Sequence, residues 1–434
     1  MHPYYYITVL SNWLPGYDRY RRVYSKAKIP QSTYPGQFYL LSQECDPNIG
    51  MDKAQRLLHN LGISGNEIIR IETRLGRDAV RKNVRNGLGW VVDRSFIEVA
   101  QVYRHSSGGW APCAPEDLTA LSFRLQHTQL KDYASLIPRS LSFLPVAHAC
   151  QARCWFCFSS ASLSAAQRPQ ALDLQALETV CAFAKSRGAE RFVLTGGGEP
   201  GLLAWDDLVR TLETARKHFA KVVMISNGLF LSRHAEPSRA LAALEAAGLT
   251  TLCLSRHAPD DARNRQIMGV DLGTEAVLAE LGHTGLQPRL VCVLQKMGVH
   301  DLESISDYLD YAARHRVSQV CFKELYIAST HESLYGHAST YRASEHGQVP
   351  LKVVLEALPL LGFRKVAELP WGSPVFVGDW PGANGCAMRL QVAAYTEPSV
   401  GWERYHGIAR SYNLMADGKC YATLEDPHSE VRIT

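Results

Sequence analysis

The sequence predicts an α/β fold: a partial (β/α)6 TIM-like barrel with an N-terminal α+β domain before it and a C-terminal extension after it. Two observations predict the barrel. Six short apolar runs recur between about residues 140 and 326, separated by longer segments with apolar residues at three- and four-residue spacing. The runs also show little polar alternation, as strands do when helices cover the outer face of a parallel sheet.

The expected strands are 141–146 (LSFLPV), 191–195 (RFVLT), 221–226 (KVVMIS), 250–255 (TTLCLS), 289–294 (RLVCVL) and 318–325 (SQVCFKEL). The intervening helices fall at about 172–187, 204–219, 236–247, 273–284 and 301–315. Parallel strands need crossovers of this length. The barrel therefore occupies 136–326.

Residues 1–135 are aromatic and basic, with expected strands at 4–10, 37–41, 89–92 and 96–103 and a helix near 52–61. Tyr4, Tyr5 and Tyr6 read as strand residues. Arg70, Arg74, Arg77, Arg81 and Arg85 would form a basic stripe if that segment were helical, a solvated face or a dock for an acidic partner. Residues 327–434 carry one clear helix, 351–362, then Pro- and Gly-rich text and two expected strands near 390–395 and 419–424, an extension placed to cover the barrel mouth.

Composition narrows the class. The 434 residues exceed one typical core, and 46% hydrophobic with 20% charged residues describes a globular chain. A net charge of +4, from 46 basic and 42 acidic residues, gives no argument for nucleic acid. The first residues lack the pattern of a secretory signal, and no run of about 18 apolar residues appears, so the expectation is a cytoplasmic protein without a membrane partner.

Eleven cysteines, an odd number, are scattered along the chain, which is no disulfide framework. Cys181, Cys253, Cys292 and Cys321 sit in apolar runs, where cysteine acts as a small hydrophobe. Cys150, Cys154 and Cys157 are different: CQARCWFC follows the first strand at C-x3-C-x2-C spacing. Chance gives such a triplet on the order of 0.01 times per chain. Thiolates favour zinc or iron–sulfur, but a structural zinc site wants four ligands, which His148 would have to complete. Three cysteines on a cubane leave one iron open to an exogenous ligand.

Two further motifs follow later strands. TGGGEP, Thr195 to Pro200, supplies consecutive glycines that admit close backbone approach and a glutamate that accepts from an ammonium group. ISNG, Ile225 to Gly228, places a hydroxyl and an amide at the same end of the sheet. That end is where active sites gather in parallel α/β folds.

CQARCWFC, then GGEP about 40 residues later and SNG about 30 beyond, resembles the radical S-adenosylmethionine (radical SAM) superfamily over about 140–326. The resemblance implies that Cys150, Cys154 and Cys157 ligate a [4Fe–4S] cluster whose open iron binds SAM. It implies that Phe156 lies against the adenine, that Gly197, Gly198 and Glu199 hold the SAM amino group, and that Ser226 and Asn227 contact ribose or carboxylate. Ser255 becomes a further contact for the SAM tail. Reductive cleavage of SAM would give a 5′-deoxyadenosyl radical that abstracts hydrogen, with an electron donor of flavodoxin or ferredoxin type and a small-molecule or peptide substrate as partners. The alternative is an iron–sulfur or zinc protein without radical catalysis.

Some residues stay open. Arg256, His257, Asp260, Asp261, Arg263 and Arg265 follow the fourth strand as a solvated loop or substrate contact, and of Lys323 and Glu324 at most one faces inward, Lys323 being preferred. Cys386 and Cys420, 34 residues apart, do not by themselves make an auxiliary cluster and would need Cys45 or Cys113.

Overall fold

A computed structural model describes residues 131–168, 170–325, 347–382, 385–398, 403–404 and 406–433, together with the backbone of six N-terminal strands. The chain divides into two compact units, Met1–Asp132 with Ala328–Gly336 and Ser399–Gly407, and Tyr133–Ile327 with His337–Pro398 and Ile408–Thr434.

In the first unit β1 (Tyr5–Ser11), β2 (Gln37–Glu44), β3 (Ile68–Thr73), β4 (Val91–Asp93), β5 (Val99–Ser106) and β6 (Gly109–Cys113) form an antiparallel sheet in the order β4-β2-β1-β3-β5-β6. Tyr5 and Tyr6 are strand residues as expected. Arg70 is not helical: it lies in β3, opposite Thr8 and Tyr103, because IIRIET carries β-branched residues in alternation. A single helical stripe starting at Arg70 therefore does not exist; Arg74, Arg77, Arg81, Arg85 and the expected helix near 52–61 lie outside the described residues.

In the second unit a two-stranded parallel pair, β7 (Ile137–Pro138) with β17 (Ile408–Ala409), lies beside the main sheet in sequence. All six expected barrel strands form: β8 (Leu141–Leu144), β9 (Phe192–Leu194), β10 (Val222–Ser226), β11 (Thr251–Ser255), β12 (Gln287–Val293) and β13 (Gln319–Lys323), parallel and in chain order. Their crossovers are α1 (Leu174–Ser186), α2 (Trp205–His218), α3 (Leu229–Ser232), α4 (Pro237–Ala246), α5 (Asp261–Met268), α6 (Thr274–Leu281) and α7 (Leu302–Arg314). Helix α8 (Lys352–Leu360) follows in the C-terminal part.

The C-terminal strands extend this sheet at both edges. β16 (Ala387–Tyr395) pairs parallel to β13 and is backed by antiparallel β15 (Pro374–Pro381) and β14 (Arg364–Glu368). β18 (Tyr412–Met415) pairs parallel to β8 and carries β19 (Cys420–Tyr421). The partial barrel is thus lengthened to eight parallel strands in an eleven-stranded sheet. β14, β15 and β18 escape the sequence reading because RKVAE is exposed along its whole length, β15 sits in Pro- and Gly-rich text, and β18 is only four residues long.

One face of the sheet packs on the helices. Phe192, Leu194, Val222, Met224, Leu252, Leu254, Leu290, Val320 and Phe322 join Leu208 and Leu212 of α2 and Ile305 and Leu309 of α7 in one core. Each such leucine stabilises the fold by about 1.5–3 kcal/mol. Cys181 and Cys292 belong to this core, as expected of cysteine used as a hydrophobe.

Caps set the helix starts. Asp173 Oδ1 accepts from the Gln175 and Ala176 amides, and Asp301 and Ser304 make a capping box at α7. Hydrogen bonds from Ser304 hold the Asp301 carboxyl below its ordinary value. Asp301→Ala should cost about 1 kcal/mol in urea unfolding at pH 7. Because the folded value is depressed, the cap contributes above the ordinary carboxylate range and fades as pH falls through the folded value, so the variant and wild type should converge in acid.

Candidate active site

The site gathers at the carboxyl ends of β8 to β12. After β8 the chain makes a loop that carries Cys150, Cys154 and Cys157 and turns into a short 3-10 helix, Phe158–Ala161. The turn is closed by the Cys157 amide donating to the Cys154 carbonyl at 3.1 Å. Cys150 is exposed while Cys154 and Cys157 are half-buried.

Helix α5 braces this loop. The Cys154 thiol donates to Met268 Sδ at 3.3 Å, and the Arg153 amide donates to the Met268 carbonyl at 2.7 Å. Gly269 ends the helix with φ 72°, and a Cβ there would come within 3.1 Å of Arg153 Cβ. Met268 and Gly269 went unnoticed in the sequence; the signal was available as a helical run closed by glycine, IMG.

The triple glycine packs against the start of the same loop. A Cβ on Gly197 would lie 2.1 Å from the Ala147 carbonyl oxygen, and one on Gly198 would lie 2.0 Å from that of Ala149. The Gly198 and Glu199 amides donate to the Val146 and Ala149 carbonyls, both at 2.8 Å. These glycines admit close approach of the cysteine loop's own backbone, whereas the sequence reading assigned that space to a ligand.

Glu199 is 3% exposed and joins the motifs after β9 and β10. Its Oε1 accepts from Ser226 Oγ at 2.6 Å and from the Gly201 amide at 3.0 Å; its Oε2 accepts from the Asn227 amide at 2.9 Å. Burial still holds its carboxyl above the ordinary value. Ser226 Oγ in turn accepts from the Gly228 amide at 2.9 Å, so that hydroxyl is engaged within the protein. Asn227 Oδ1 accepts from the Leu229 amide, and its Nδ2 points at the cysteine loop, 3.4 Å from Gln151 Oε1 and 3.7 Å from Cys150 Sγ.

Phe156 is buried between Trp155 and His257, edge-on to both at 5.3 and 5.0 Å. His257 Nδ1 accepts from the Val293 amide at 3.0 Å, which places the ring proton on Nε2, and burial pushes its pKa down to about 3. Trp155 Nε1 donates to Gln295 Oε1 at 2.9 Å. Ser255 ends β11, half-buried, with no side-chain hydrogen bond among the described residues.

The loop after β11 separates into parts. Arg256 is a structural clamp, 1% exposed, donating to the Pro259 carbonyl at 2.6 Å and Asp261 at 2.7 Å with its guanidinium 4.0 Å over the Tyr311 ring. Asp260 caps α5, and Arg263 and Arg265 lie on its exposed face. Neither arginine is brought to the site.

Lys323 faces inward as preferred, and Glu324 does not. Lys323 Nζ meets Glu397 Oε1 at 2.5 Å, while Glu324 accepts from the Leu351 amide and Thr396 Oγ1. Arg410 meets the other Glu397 oxygen at 2.6 Å, and Tyr395 Oη donates to it at 3.0 Å. Despite burial, Arg410 and then Lys323 hold the Glu397 carboxyl below its ordinary value. Glu397→Gln should cost about 2 kcal/mol, less than a fully buried pair because both cations keep about a third of their exposure. The loss should be full near neutral pH and shrink as pH falls below the ordinary carboxylate value.

His148 is exposed, and among the described residues no three His, Cys, Asp or Glu side chains are arranged to hold a single metal ion. Cys420 is buried in the core and Cys386 is exposed beside β16, so no auxiliary site forms from these two.

Residues 144–321 match the family model described as the Radical SAM superfamily. Those residues form a radical SAM domain. Cluster loop, glycine triplet and SNG motif all fall within the matched residues, which cover β9 to β12 entirely. The match covers less than half of the 434 residues.

A search of curated proteins found no match. Among solved structures, the chain is similar to Streptococcus suis SuiB bound to S-adenosylmethionine, at 16% identity and TM-score 0.46, covering 66% of this chain and 60% of that one. It is also similar to anSMEcpe with bound AdoMet and Cp18Cys peptide, at 15% identity and TM-score 0.36, covering 52% and 62%. Coproporphyrinogen III oxidase (HemN) from Escherichia coli matches at 15% identity and TM-score 0.33, covering 53% and 54%.

The residues present fit a radical SAM site. Burial and the neighbouring thiols push Cys154 up to about 12, and burial with the charges of Glu199 and Cys157 pushes Cys150 up, so ionising these two thiols calls for a cationic centre. The glycine backbone beside them leaves no room for side chains. Among the described residues no helix is long and apolar enough to cross a membrane.

Proposed function

We propose that this enzyme cleaves SAM reductively and abstracts hydrogen from a small-molecule or peptide substrate on the inner face of the sheet. One observation carries the reading: Glu199, Ser226 and Asn227 form a buried hydrogen-bonded lattice that ends 3.7 Å from Cys150 Sγ. It joins the ends of two strands to the cysteine loop, the place where a molecule bound beside a cluster would need fixed polar groups.

Cys150, Cys154 and Cys157 would hold the cluster, which when bound supplies the electron that breaks the sulfonium C–S bond of SAM to yield a 5′-deoxyadenosyl radical. Gly197 and Gly198 present backbone at the site, and Glu199 keeps one oxygen lone pair for the SAM ammonium beyond its three internal donors. Ser226 acts through Glu199 as a positioning residue, since its hydroxyl is engaged on both sides. The Ser255 hydroxyl remains to contact the SAM carboxylate or ribose, Asn227 Nδ2 would do so by turning from its long contacts with Gln151 and Cys150, and Phe156 gives an apolar wall for the adenine. The electron would come from a flavodoxin- or ferredoxin-type donor.

The test is SAM turnover by the reconstituted protein: 5′-deoxyadenosine formed under reducing, anaerobic conditions supports the reading, and protein that carries iron yet forms none contradicts it.

A further inference from the structure

The inner face of the sheet carries a second group of residues, below the site and toward the amino ends of the strands. Phe192, Val222, Leu290, Leu252 and Leu254 point into the helix-covered core, so Arg191, Lys221, Arg289 and Cys253, which alternate with them, face the other way. Arg191 and Lys221 are neighbours across β9 and β10, where Val222 pairs with Phe192 and the Phe192 amide donates to the Lys221 carbonyl at 3.0 Å. Arg289 lies beside Cys253 on one side and Gln319 on the other, and its Nε and Nη2 both donate to Gln319 Oε1, at 2.9 and 2.5 Å.

The three cations share this face of the sheet. Burial pushes the Cys253 thiol up, and the charges of Arg289, Lys221 and Arg191 act against that shift. Burial also holds Arg191 and Lys221 below their ordinary values, with the charge of Arg289 acting the same way on both. Glu190, next in sequence, is engaged by Arg139 at 2.8 Å, and Glu397 by Lys323 and Arg410. Among the described residues no carboxylate makes an ion pair with Arg191, Lys221 or Arg289. Like charges on one partly desolvated face repel one another unless an anion joins them.

We propose that Arg191, Lys221 and Arg289 form an oxyanion-binding site, for phosphate or carboxylate, and that the substrate is an acid whose charged group occupies it. That the occupant is the substrate rests on the catalytic reading above; that the site takes an anion does not. Gln319 engages the Nε and Nη2 edge of Arg289, which leaves Nη1 for an oxyanion, and Lys221 is exposed to solvent. Strands of five residues span about 17 Å, so an acidic group held here and a hydrogen presented at the cysteine loop would belong to an extended molecule.

Isothermal titration of the full-length protein with inorganic phosphate and with acetate, at ionic strength fixed by sodium chloride, tests the site. Wild type should bind at least one of these oxyanions at a single site, and Lys221→Gln and Arg289→Gln should each weaken it about tenfold. Lys221 is exposed, so its variant should fold normally. Equal binding by wild type and both variants, or none above the chloride control, overturns the site even if 5′-deoxyadenosine is formed. Binding that responds to the variants while no 5′-deoxyadenosine forms leaves the site standing and removes the catalytic reading. For the substrate, cell extract is resolved by anion exchange. The retained fraction should stimulate 5′-deoxyadenosine formation by wild type and much less by Lys221→Gln; stimulation by the unretained fraction alone overturns the assignment of an acidic substrate.

Discussion

Cys154→Ala should leave a folded protein that neither retains a [4Fe–4S] cluster nor cleaves SAM. Cys154 is half-buried and packs beside Ile267 and Met268, and its thiol donates only to Met268 Sδ. Removing one sulfur from such a place costs about 1 kcal/mol of stability, too little to unfold a chain of this size. The two remaining cysteines cannot hold a cubane that three must share. Far-UV circular dichroism should match wild type while the brown colour and 5′-deoxyadenosine both vanish. A variant keeping colour and SAM cleavage would show that CQARCWFC has been misassigned.

Glu199→Gln should damage SAM handling without touching a cysteine. The carboxylate accepts three hydrogen bonds, from Ser226 Oγ and from the amides of Gly201 and Asn227. An amide has only one acceptor oxygen, so its NH2 must face either the Asn227 amide or the Ser226 and Gly201 donors. Leaving a buried donor unpaired costs about 1–3 kcal/mol, and a site displaced by about 1 Å loses roughly a hundredfold in rate. The expected result is weaker SAM binding by equilibrium dialysis and about a hundredfold slower 5′-deoxyadenosine formation, with iron content unchanged. Wild-type turnover would remove Glu199 from the site, and loss of iron would make it a structural support of the cysteine loop instead.

The core strands were legible because a helix-covered parallel strand is apolar along its whole length, and β8 to β13 each announce themselves this way. β3 was not, since Arg70 and its spacing to later arginines invited a helical reading where β-branched neighbours favour a strand. The edges of the sheet were also hidden. β14 is solvated throughout and β18 is four residues long, so neither leaves a pattern in composition.

At the site, motif spacing located Cys150, Cys154, Cys157, Gly197, Gly198, Glu199, Ser226 and Asn227, and the fold brings their loops together. What spacing could not supply was direction. Ser226 looked free to meet a ligand, yet Glu199 and Gly228 use its hydroxyl. Arg256 reads in sequence as part of a solvated loop or as a substrate contact, yet its guanidinium lies buried over Tyr311 within the fold. Met268 and His257 brace the cysteine loop from 100 residues away, a contact that only the parallel order of β8, β11 and β12 creates.

Formation of 5′-deoxyadenosine and methionine by the anaerobically reconstituted enzyme with dithionite and SAM tests the central claim most directly. Wild type should form both, even without substrate, and the Cys154→Ala protein neither. Purified protein that carries zinc in place of iron, or a reconstituted cluster that leaves SAM intact, would contradict the account.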